Sequence, residues 1–207
     1  MVKKMKIRLG YVSISKTLDN MLNFKTINYT NYLKEKNIKK IEDIVIHNLN
    51  TLEQILDYNI KNNIHFYRIT SNLIPLSTIV KFDYITNFKD YYDKLSKKIS
   101  KLRVDFHPDQ FTVLNSVKKE VLDNTFLSLE HHYKLCKVLK IKNPILVLHV
   151  GSNVFGKEKS LTRFINNFKK LPNEIKQVIA IENDDKIFNV EDVLKLTKEI
   201  NVPFVLD

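Results

Sequence analysis

A chain of 207 residues with 43% hydrophobic and 28% charged residues has the composition of a globular protein, and we predict one domain over residues 1–207. No apolar run reaches the roughly 18 residues of a transmembrane helix, and the N-terminus lacks a signal-peptide core, so we expect a cytoplasmic protein. The net charge of +11 favours a polyanionic partner, nucleic acid before an anionic membrane, although lysine enrichment in a biased genome gives the same excess. Cys136 is the only cysteine, which excludes a disulfide within the chain.

Strand-like and helix-like apolar patterns alternate along the chain. In order, they predict strand Ile7–Val12, helix Asn48–Asn62, strand His65–Thr70, helix Phe88–Ile99, strand Leu102–His107, helix Lys119–Lys140, strand Ile145–Val150, helix Ser160–Leu171, strand Val178–Glu182, helix Val190–Ile200 and strand Phe204–Asp207. The polar segment Asp19–Asn48 is predicted to be an inserted loop or a short helix. This alternation indicates a parallel sheet.

Glycine content decides between the two common parallel architectures. A doubly wound nucleotide-binding domain usually has a Gly-rich turn after its first strand, and three glycines in the whole chain allow neither that motif nor a P-loop. We therefore predict an α/β fold of the TIM-type (β/α) barrel class, with about six of the eight β/α units present.

Four predicted strands end in a residue that can bind a metal. These residues are His107, His149, Glu182 and Asp207. Because side chains at the carboxyl ends of barrel strands share one mouth, the pattern predicts a metal site for Mn²⁺, Zn²⁺, Fe²⁺ or Co²⁺. Each residue also has a structural explanation: a histidine can cap a turn, Glu182 can form a salt bridge or a cap, and a terminal aspartate is often solvated.

Other residues at the same predicted mouth are suited to contacts with nucleic acid. Gln110 and Phe111 follow the strand that ends at His107, and an aromatic ring can stack on bases while an amide can read base edges. Tyr11 follows the first strand, and Ser71 and Asn72 follow the second. For Tyr11 and Phe111, a place in the hydrophobic core is the alternative.

Taken together, the motifs resemble those of the UV damage endonucleases, in family order over residues 7–207. They are Arg8–Ser13 (RLGYVS), Phe66–Pro75 (FYRITSNLIP), His107–Ser116 (HPDQFTVLNS), His149–Gly151 (HVG), Gly156–Lys157, Leu171–Pro172 and Glu182–Asp185 (ENDD). The resemblance implies a barrel enzyme that cuts double-stranded DNA on the 5′ side of ultraviolet photoproducts, and often of other lesions.

The resemblance also implies roles for individual residues. His107, His149 and Glu182 would be catalytic metal ligands and Asp207 a further ligand, in a site that prefers Mn²⁺ and holds two or three ions when complete. The implied substrate-binding residues are Gln110, Phe111, Tyr11, Ser71, Asn72 and Lys157. Phe111 stands where a tyrosine is common, so stacking is retained and a hydroxyl contact is lost. We expect a monomer.

The family pattern continues past Asp207 with two further barrel units, so we expect this chain alone to be weakly active or inactive. Two other functions remain open. One is another divalent-metal barrel, such as an abasic-site endonuclease or a sugar isomerase, of which the basic charge disfavours the isomerase. The other is a catalytically incomplete remnant that binds DNA without cutting it.

Overall fold

The computed structural model describes residues 7–12, 15, 17–18 and 22–207. The first part contains strand β1 (Gly10–Val12), helices α1 (Tyr29–Glu35) and α2 (Ile38–Lys61), strand β2 (Phe66–Ile69), a 3₁₀ turn (Ser71–Leu73), helix α3 (Lys89–Ile99) and strand β3 (Arg103–Phe106). Then follow helix α4 (Lys119–Val138), strand β4 (Leu146–His149), helices α5 (Lys157–Lys169) and α6 (Asn173–Lys176), strand β5 (Ile179–Glu182), helix α7 (Val190–Ile200) and strand β6 (Phe204–Val205).

The strands follow one another in the sheet in chain order, β1 to β6, and every pair with a described register is parallel. Parallel strands in sequential order, alternating with helices, define the (β/α) barrel class. The predicted fold class is therefore confirmed, with six strands present. None of the helices in the described part of the chain combines the length and apolar character needed to cross a lipid bilayer.

Residue contacts divide the chain into two compact units. The first contains residues up to Asp105 together with 138–142, and the second contains residues 106–137 and 143–207. The single domain expected from the sequence stays a prediction.

Helix α2 supplies much of the core of the first unit and corrects one prediction. It begins at Ile38, ten residues before the predicted start at Asn48, so the segment Asp19–Asn48 is not merely a loop or a short helix. Ile41 and Val45 are fully buried and continue toward the N-terminus the apolar stripe of Leu49 and Leu52. Residues 19–21 of the segment lie outside the described residues.

Strand β1 lies unusually close to strand β2. Gly10 pairs with Phe66, and a Cβ atom on Gly10 would lie 2.2 Å from the backbone oxygen of Phe66. Since no side chain fits there, glycine is required for this spacing. The close approach fixes the position of the next residue, Tyr11.

In the second unit, the central strands are covered on both faces. The residues of β4 before His149 and those of β5 before Glu182 are at most 1% exposed. Near-continuous apolar strands of this kind are expected where helices cover both sides of a sheet. In β4 and β5, polar residues therefore stand only at the carboxyl ends of the strands.

Candidate active site

Three of the four predicted metal ligands converge at the carboxyl ends of neighbouring strands. His149 and Glu182 are the last residues of β4 and β5 and lie directly opposite each other in the parallel register. His107 immediately follows β3, whose residue Phe106 pairs with Leu146 of β4. Parallel pairing thus places the three side chains at one edge of the sheet.

The donor atoms of these three residues have the spacing of a metal site. One ligand atom from each lies within 4.8 Å of the other two. Glu182 Oε2 is 3.4 Å from His107 Nε2 and 3.9 Å from His149 Nε2, and the imidazole centroids are 4.9 Å apart. Donor atoms that share one first-row ion at about 2.0–2.2 Å lie roughly 3–3.5 Å from one another. Glu182 is 7% exposed, so its carboxylate is largely removed from water.

Hydrogen bonding leaves lone pairs available to a cation at both histidines. His107 Nδ1 lies 2.7 Å from the carbonyl oxygen of Pro108, which only accepts hydrogen bonds, so in the neutral ring Nδ1 carries the proton. His107 Nε2 then presents a lone pair toward the Glu182 carboxylate. His149 Nδ1 is buried and has no hydrogen-bond partner among the described residues. Two imidazoles and a buried carboxylate whose ligand atoms lie this close fit a bound cation, and this donor set suits a divalent first-row metal.

The fourth predicted ligand, Asp207, is not one of the three residues whose donor atoms converge. Its backbone is nevertheless tied to the end of β5. Asn183 donates from Nδ2 to the Asp207 carbonyl at 3.2 Å, and the Asp207 N–H donates to Asn183 Oδ1 at 3.1 Å. Asp207 as a ligand stays a prediction.

The loop after β5 is held by the carboxylate of Asp184. This carboxylate accepts hydrogen bonds from the backbone N–H groups of Lys186, Ile187 and Phe188. Burial, the largest influence, acts to raise the pKa of Asp184, but the three N–H groups and nearby His149 together outweigh it and lower that pKa. Asp184 is therefore an anion that organises its own loop.

The predicted contact pair Gln110 and Phe111 lies at an exposed loop tip. Asp109 shapes this tip, because its carboxylate accepts from the Phe111 N–H at 2.8 Å and its carbonyl from the Thr112 N–H at 2.9 Å. Phe111 is 73% exposed, which excludes the alternative that it fills the core.

A cavity of about 620 Å³ extends from this loop to His149, one of the three converging residues. Gln110 and Phe111 line one part, His149, Gly151 and Ser152 another, and the loop 184–187 a third. The predicted pair and one predicted ligand thus share a single cavity.

In the first unit, Tyr11 donates its hydroxyl hydrogen bond to Asn59 Oδ1 on α2 at 2.9 Å. Burial raises the pKa of Tyr11, with the Asn59 hydrogen bond opposing, so the phenol is protonated at neutral pH. Tyr11 and Asn72 line a cavity of about 260 Å³. Ser71 and Asn72 lie in the 3₁₀ turn after β2, and Asn72 is exposed.

Lys157, the remaining predicted substrate residue, already has an acidic partner. It is the first residue of α5, and its Nζ lies 2.6 Å from Asp192 Oδ2 and 6.0 Å from the centre of the Phe188 ring. It does not line the cavity beside the cluster. Its role toward substrate stays a prediction.

Two asparagines that support the site residues were not singled out for this in the sequence. Asn59 is fully buried against Tyr11, and Asn183 is 7% exposed against Asp207. The sequence gives one signal for each: Asn59 interrupts the apolar stripe of α2, and Asn183 follows Glu182 directly.

Comparison with known proteins shows which family this chain belongs to. The sequence pattern of the family described as UV-endonuclease UvdE matches residues 7–207. The UV DNA damage endonuclease of Bacillus cereus strain B4264 is 36% identical over 211 residues, covering 98% of this chain and 67% of that protein. The corresponding protein of Bacillus thuringiensis subsp. konkukian strain 97-27 is 36% identical over 209 residues, covering 97% of this chain and 66% of that protein.

Solved structures show the same relationship. The crystal structure of SacUVDE superposes with a TM-score of 0.87 at 35% identity, covering 98% of this chain and 69% of that one. Endonuclease IV from Thermus thermophilus, at a TM-score of 0.51 and 13% identity, shares the fold alone; the match covers 75% of this chain and 57% of that one. With a family match over residues 7–207 and relatives 36% identical, the chain belongs to the UV-endonuclease UvdE family.

Proposed function

We propose that this protein is a DNA repair endonuclease that cuts the strand on the 5′ side of ultraviolet photoproducts, namely cyclobutane dimers and 6-4 products, and depends on a divalent metal, Mn²⁺ by preference. The observation that carries the proposal is the convergence of His107, His149 and Glu182 within 4.8 Å at the strand ends. Family membership supports the reaction class, and the names of the relatives support ultraviolet damage as the target.

The metal dependence is argued from the donor set. His107 Nε2, one nitrogen of His149 and the Glu182 carboxylate would hold the ion. When bound, such an ion supplies Lewis-acid stabilisation of charge on phosphate oxygens and makes water a stronger acid.

The substrate is argued from charge and from the loop beside the cluster. The net charge of +11 attracts the phosphate backbone without regard to sequence. Discrimination of damage requires contact with bases, and Gln110 and Phe111 are exposed at the cavity that His149 also lines. A planar ring at that position can stack on a base whose neighbour is displaced by a lesion. That the protein acts as a monomer in the cytoplasm stays a prediction.

The decisive experiment compares ultraviolet-irradiated and untreated supercoiled plasmid, each with Mn²⁺ and with a chelator. We expect conversion to the nicked form only for irradiated plasmid with Mn²⁺. Glu182→Gln, which removes the charge and keeps the shape, should abolish nicking. Glu158→Gln, a change of the same kind at an exposed residue of α5, should leave nicking unchanged.

Other outcomes separate the alternatives. Equal nicking of both plasmids, or nicking that survives the chelator, would contradict the proposal. Preferential cutting of an abasic-site duplex over irradiated DNA would favour the abasic-site endonuclease. Salt-sensitive DNA binding without nicking and without Mn²⁺ binding would favour the non-catalytic remnant.

A further inference from the structure

The side chain of Asn183 continues the pairing of β5 with β6 beyond the last residues of the sheet. The backbone ladder between these strands ends with the pair Glu182 and Val205. One step further, the Asn183 amide takes the place of a peptide group, since it both donates to and accepts from the backbone of Asp207, at 3.2 and 3.1 Å. Asn183 is 7% exposed, so water competes little for these hydrogen bonds.

Asn183 is itself held on both sides. Before it, Glu182 is fixed in the ladder opposite His149. After it, the Asp184 N–H donates to the Phe188 carbonyl at 3.0 Å, and the Asp184 carboxylate binds the following N–H groups. The amide therefore has a fixed backbone on each side, and its direction is set before Asp207 meets it.

The two hydrogen bonds constrain the backbone of Asp207 and leave its carboxylate to rotate about the two side-chain bonds. We propose that Asn183 is a positioning residue of the metal site: it holds the backbone of Asp207 so that the Asp207 carboxylate completes the ligand set that His107, His149 and Glu182 begin. This inference rests on the proposed metal-dependent function and adds a residue to it.

A purely structural role makes a different prediction. If Asn183 only ended the strand, its loss would lower stability, as the loss of any buried hydrogen-bonded amide does, and metal affinity would not change. If it acts through Asp207, its loss weakens metal binding, and the weakening disappears once the Asp207 carboxylate is removed. A double-mutant cycle separates the two roles.

The experiment is a calorimetric titration of the metal-free 207-residue protein with Mn²⁺ alone. It compares the parent chain with Asn183→Ala, Asp207→Asn and the combination of both. Replacing a group that orients a metal ligand typically weakens affinity about 10- to 100-fold, and we expect that loss for Asn183→Ala. We expect Asp207→Asn to lose at least as much, and the double variant to bind no more weakly than Asp207→Asn.

Asn189→Ala is the control for general destabilisation. Asn189 caps α7 by accepting a hydrogen bond from the Asp192 N–H, so its loss lowers the stability of the protein. The three converging residues do not include it, and Mn²⁺ affinity should stay at the parent value.

The remaining outcomes overturn defined parts of the inference. Unchanged Mn²⁺ affinity in Asn183→Ala, or losses that multiply in the double variant, would refute the role of Asn183 alone. Parent-like affinity in Asp207→Asn would refute its action through Asp207. If the parent chain takes up no Mn²⁺, the proposed metal dependence itself fails, and this inference fails with it.

Discussion

Phe111 exposes 73% of its surface at a loop tip that a backbone turn at Asp109 holds in shape. A ring that is exposed to water contributes little to the stability of the fold, so Phe111 has no role in the hydrophobic core. The ring stands beside a cavity that His149 also lines, and we propose that it stacks on a base there.

We predict that Phe111→Ala weakens binding to irradiated duplex DNA while leaving stability almost unchanged. Base–aromatic stacking is worth about 1–3 kcal/mol, so affinity should fall by roughly 5- to 160-fold, and Phe111→Tyr should restore it. Fluorescence anisotropy with a labelled irradiated oligonucleotide measures the effect. Phe155 is equally exposed at 73%, and Phe155→Ala is the control that should bind normally. Equal losses in both variants would mean that general surface hydrophobicity, not this ring, binds DNA.

The hydroxyl of Tyr11 supports a different prediction, on stability. Tyr11→Phe removes the hydrogen bond to Asn59, whose Nδ2 already lacks a partner, and leaves the whole buried amide unpaired. We expect a loss of about 1–2 kcal/mol in the free energy of unfolding, measured by urea denaturation. Tyr29→Phe, at a half-exposed tyrosine of α1, should change stability by less than about 0.5 kcal/mol. A Tyr11→Phe variant as stable as the parent would show that water already satisfies the amide.

The sequence was most informative for charged and imidazole side chains at strand ends. His107, His149 and Glu182 were predicted to meet because parallel strands bring their carboxyl ends together. Asn59 and Asn183 could not be predicted in the same way. A neutral amide gains its role from a partner 48 or 24 residues away, and no local pattern encodes that partner.

At the scale of elements, charged side chains join α2 and α3. Glu53 lies between Lys94 and Lys98, at 2.7 and 2.8 Å, and Lys98 also binds Asp57. The Glu53 side chain is 15% exposed, so these contacts are less screened by water than those of the surrounding surface. The pairing fixes the two helices against each other in addition to their apolar contacts.

This network predicts a pH-dependent contribution to stability. Burial, the largest influence, acts to raise the pKa of Glu53, but the hydrogen bonds and charges of Lys94 and Lys98 outweigh it and lower that pKa below its ordinary value of 4.5. A carboxyl with a lowered folded-state pKa stabilises the protein above its unfolded-state pKa, and the contribution is lost as the pH falls through the folded-state pKa.

Glu53→Gln should therefore cost about 1–2 kcal/mol near neutral pH, and the cost should be smaller at a pH well below 4.5, as measured by urea denaturation at both pH values. Glu130→Gln breaks an i,i+4 pair with Lys134 in which both side chains are 52% exposed, and it should cost less than about 0.5 kcal/mol at either pH. A Glu53→Gln cost that is the same in acid would assign the effect to packing.

The sequence predicted the type and order of the helices and strands better than it predicted where they begin and end. Alternating apolar periods predicted six strands in the observed order, because both faces of β4 and β5 are buried and their residues are almost all apolar. The predicted start of α2 was wrong by ten residues. The added turns before Asn48 contain five apolar residues, of which only Ile41 and Val45 are buried, so the sequence alone does not show which of the five continue the stripe.

At the scale of the whole molecule, the excess of 34 basic over 23 acidic residues is the dominant electrostatic feature. Attraction to a phosphate backbone acts over long distances and does not depend on the base sequence. We therefore expect it to help the protein to approach DNA and slide along it, rather than to recognise a lesion. We expect two contributions to DNA binding, one from the net charge and one from the exposed loop. Because added salt weakens mainly the first, a series of salt concentrations should separate them.

We predict that affinity for undamaged duplex DNA falls steeply with salt, with a slope of log affinity against log salt of magnitude above about 3, since each neutralised phosphate contributes about 0.9. Irradiated DNA should give a similar slope with a higher affinity at every salt concentration, because stacking does not depend on counterion release. Anisotropy titrations of both duplexes across a salt series measure the two slopes. If the affinity for undamaged DNA did not change with salt, the basic charge would have no role in DNA binding and would reflect lysine enrichment across the genome.

The register that sets His149 opposite Glu182 also limits how this protein can change over generations. Consecutive residues of a strand face opposite sides, so adding or deleting a single residue inside β5 would turn the Glu182 carboxylate away from both histidines. Residues 179–181 can be replaced by other apolar residues, whereas an insertion or deletion among them would disrupt the site. Lineages of this chain should therefore drift in composition along β5 and gain or lose residues only in the loops.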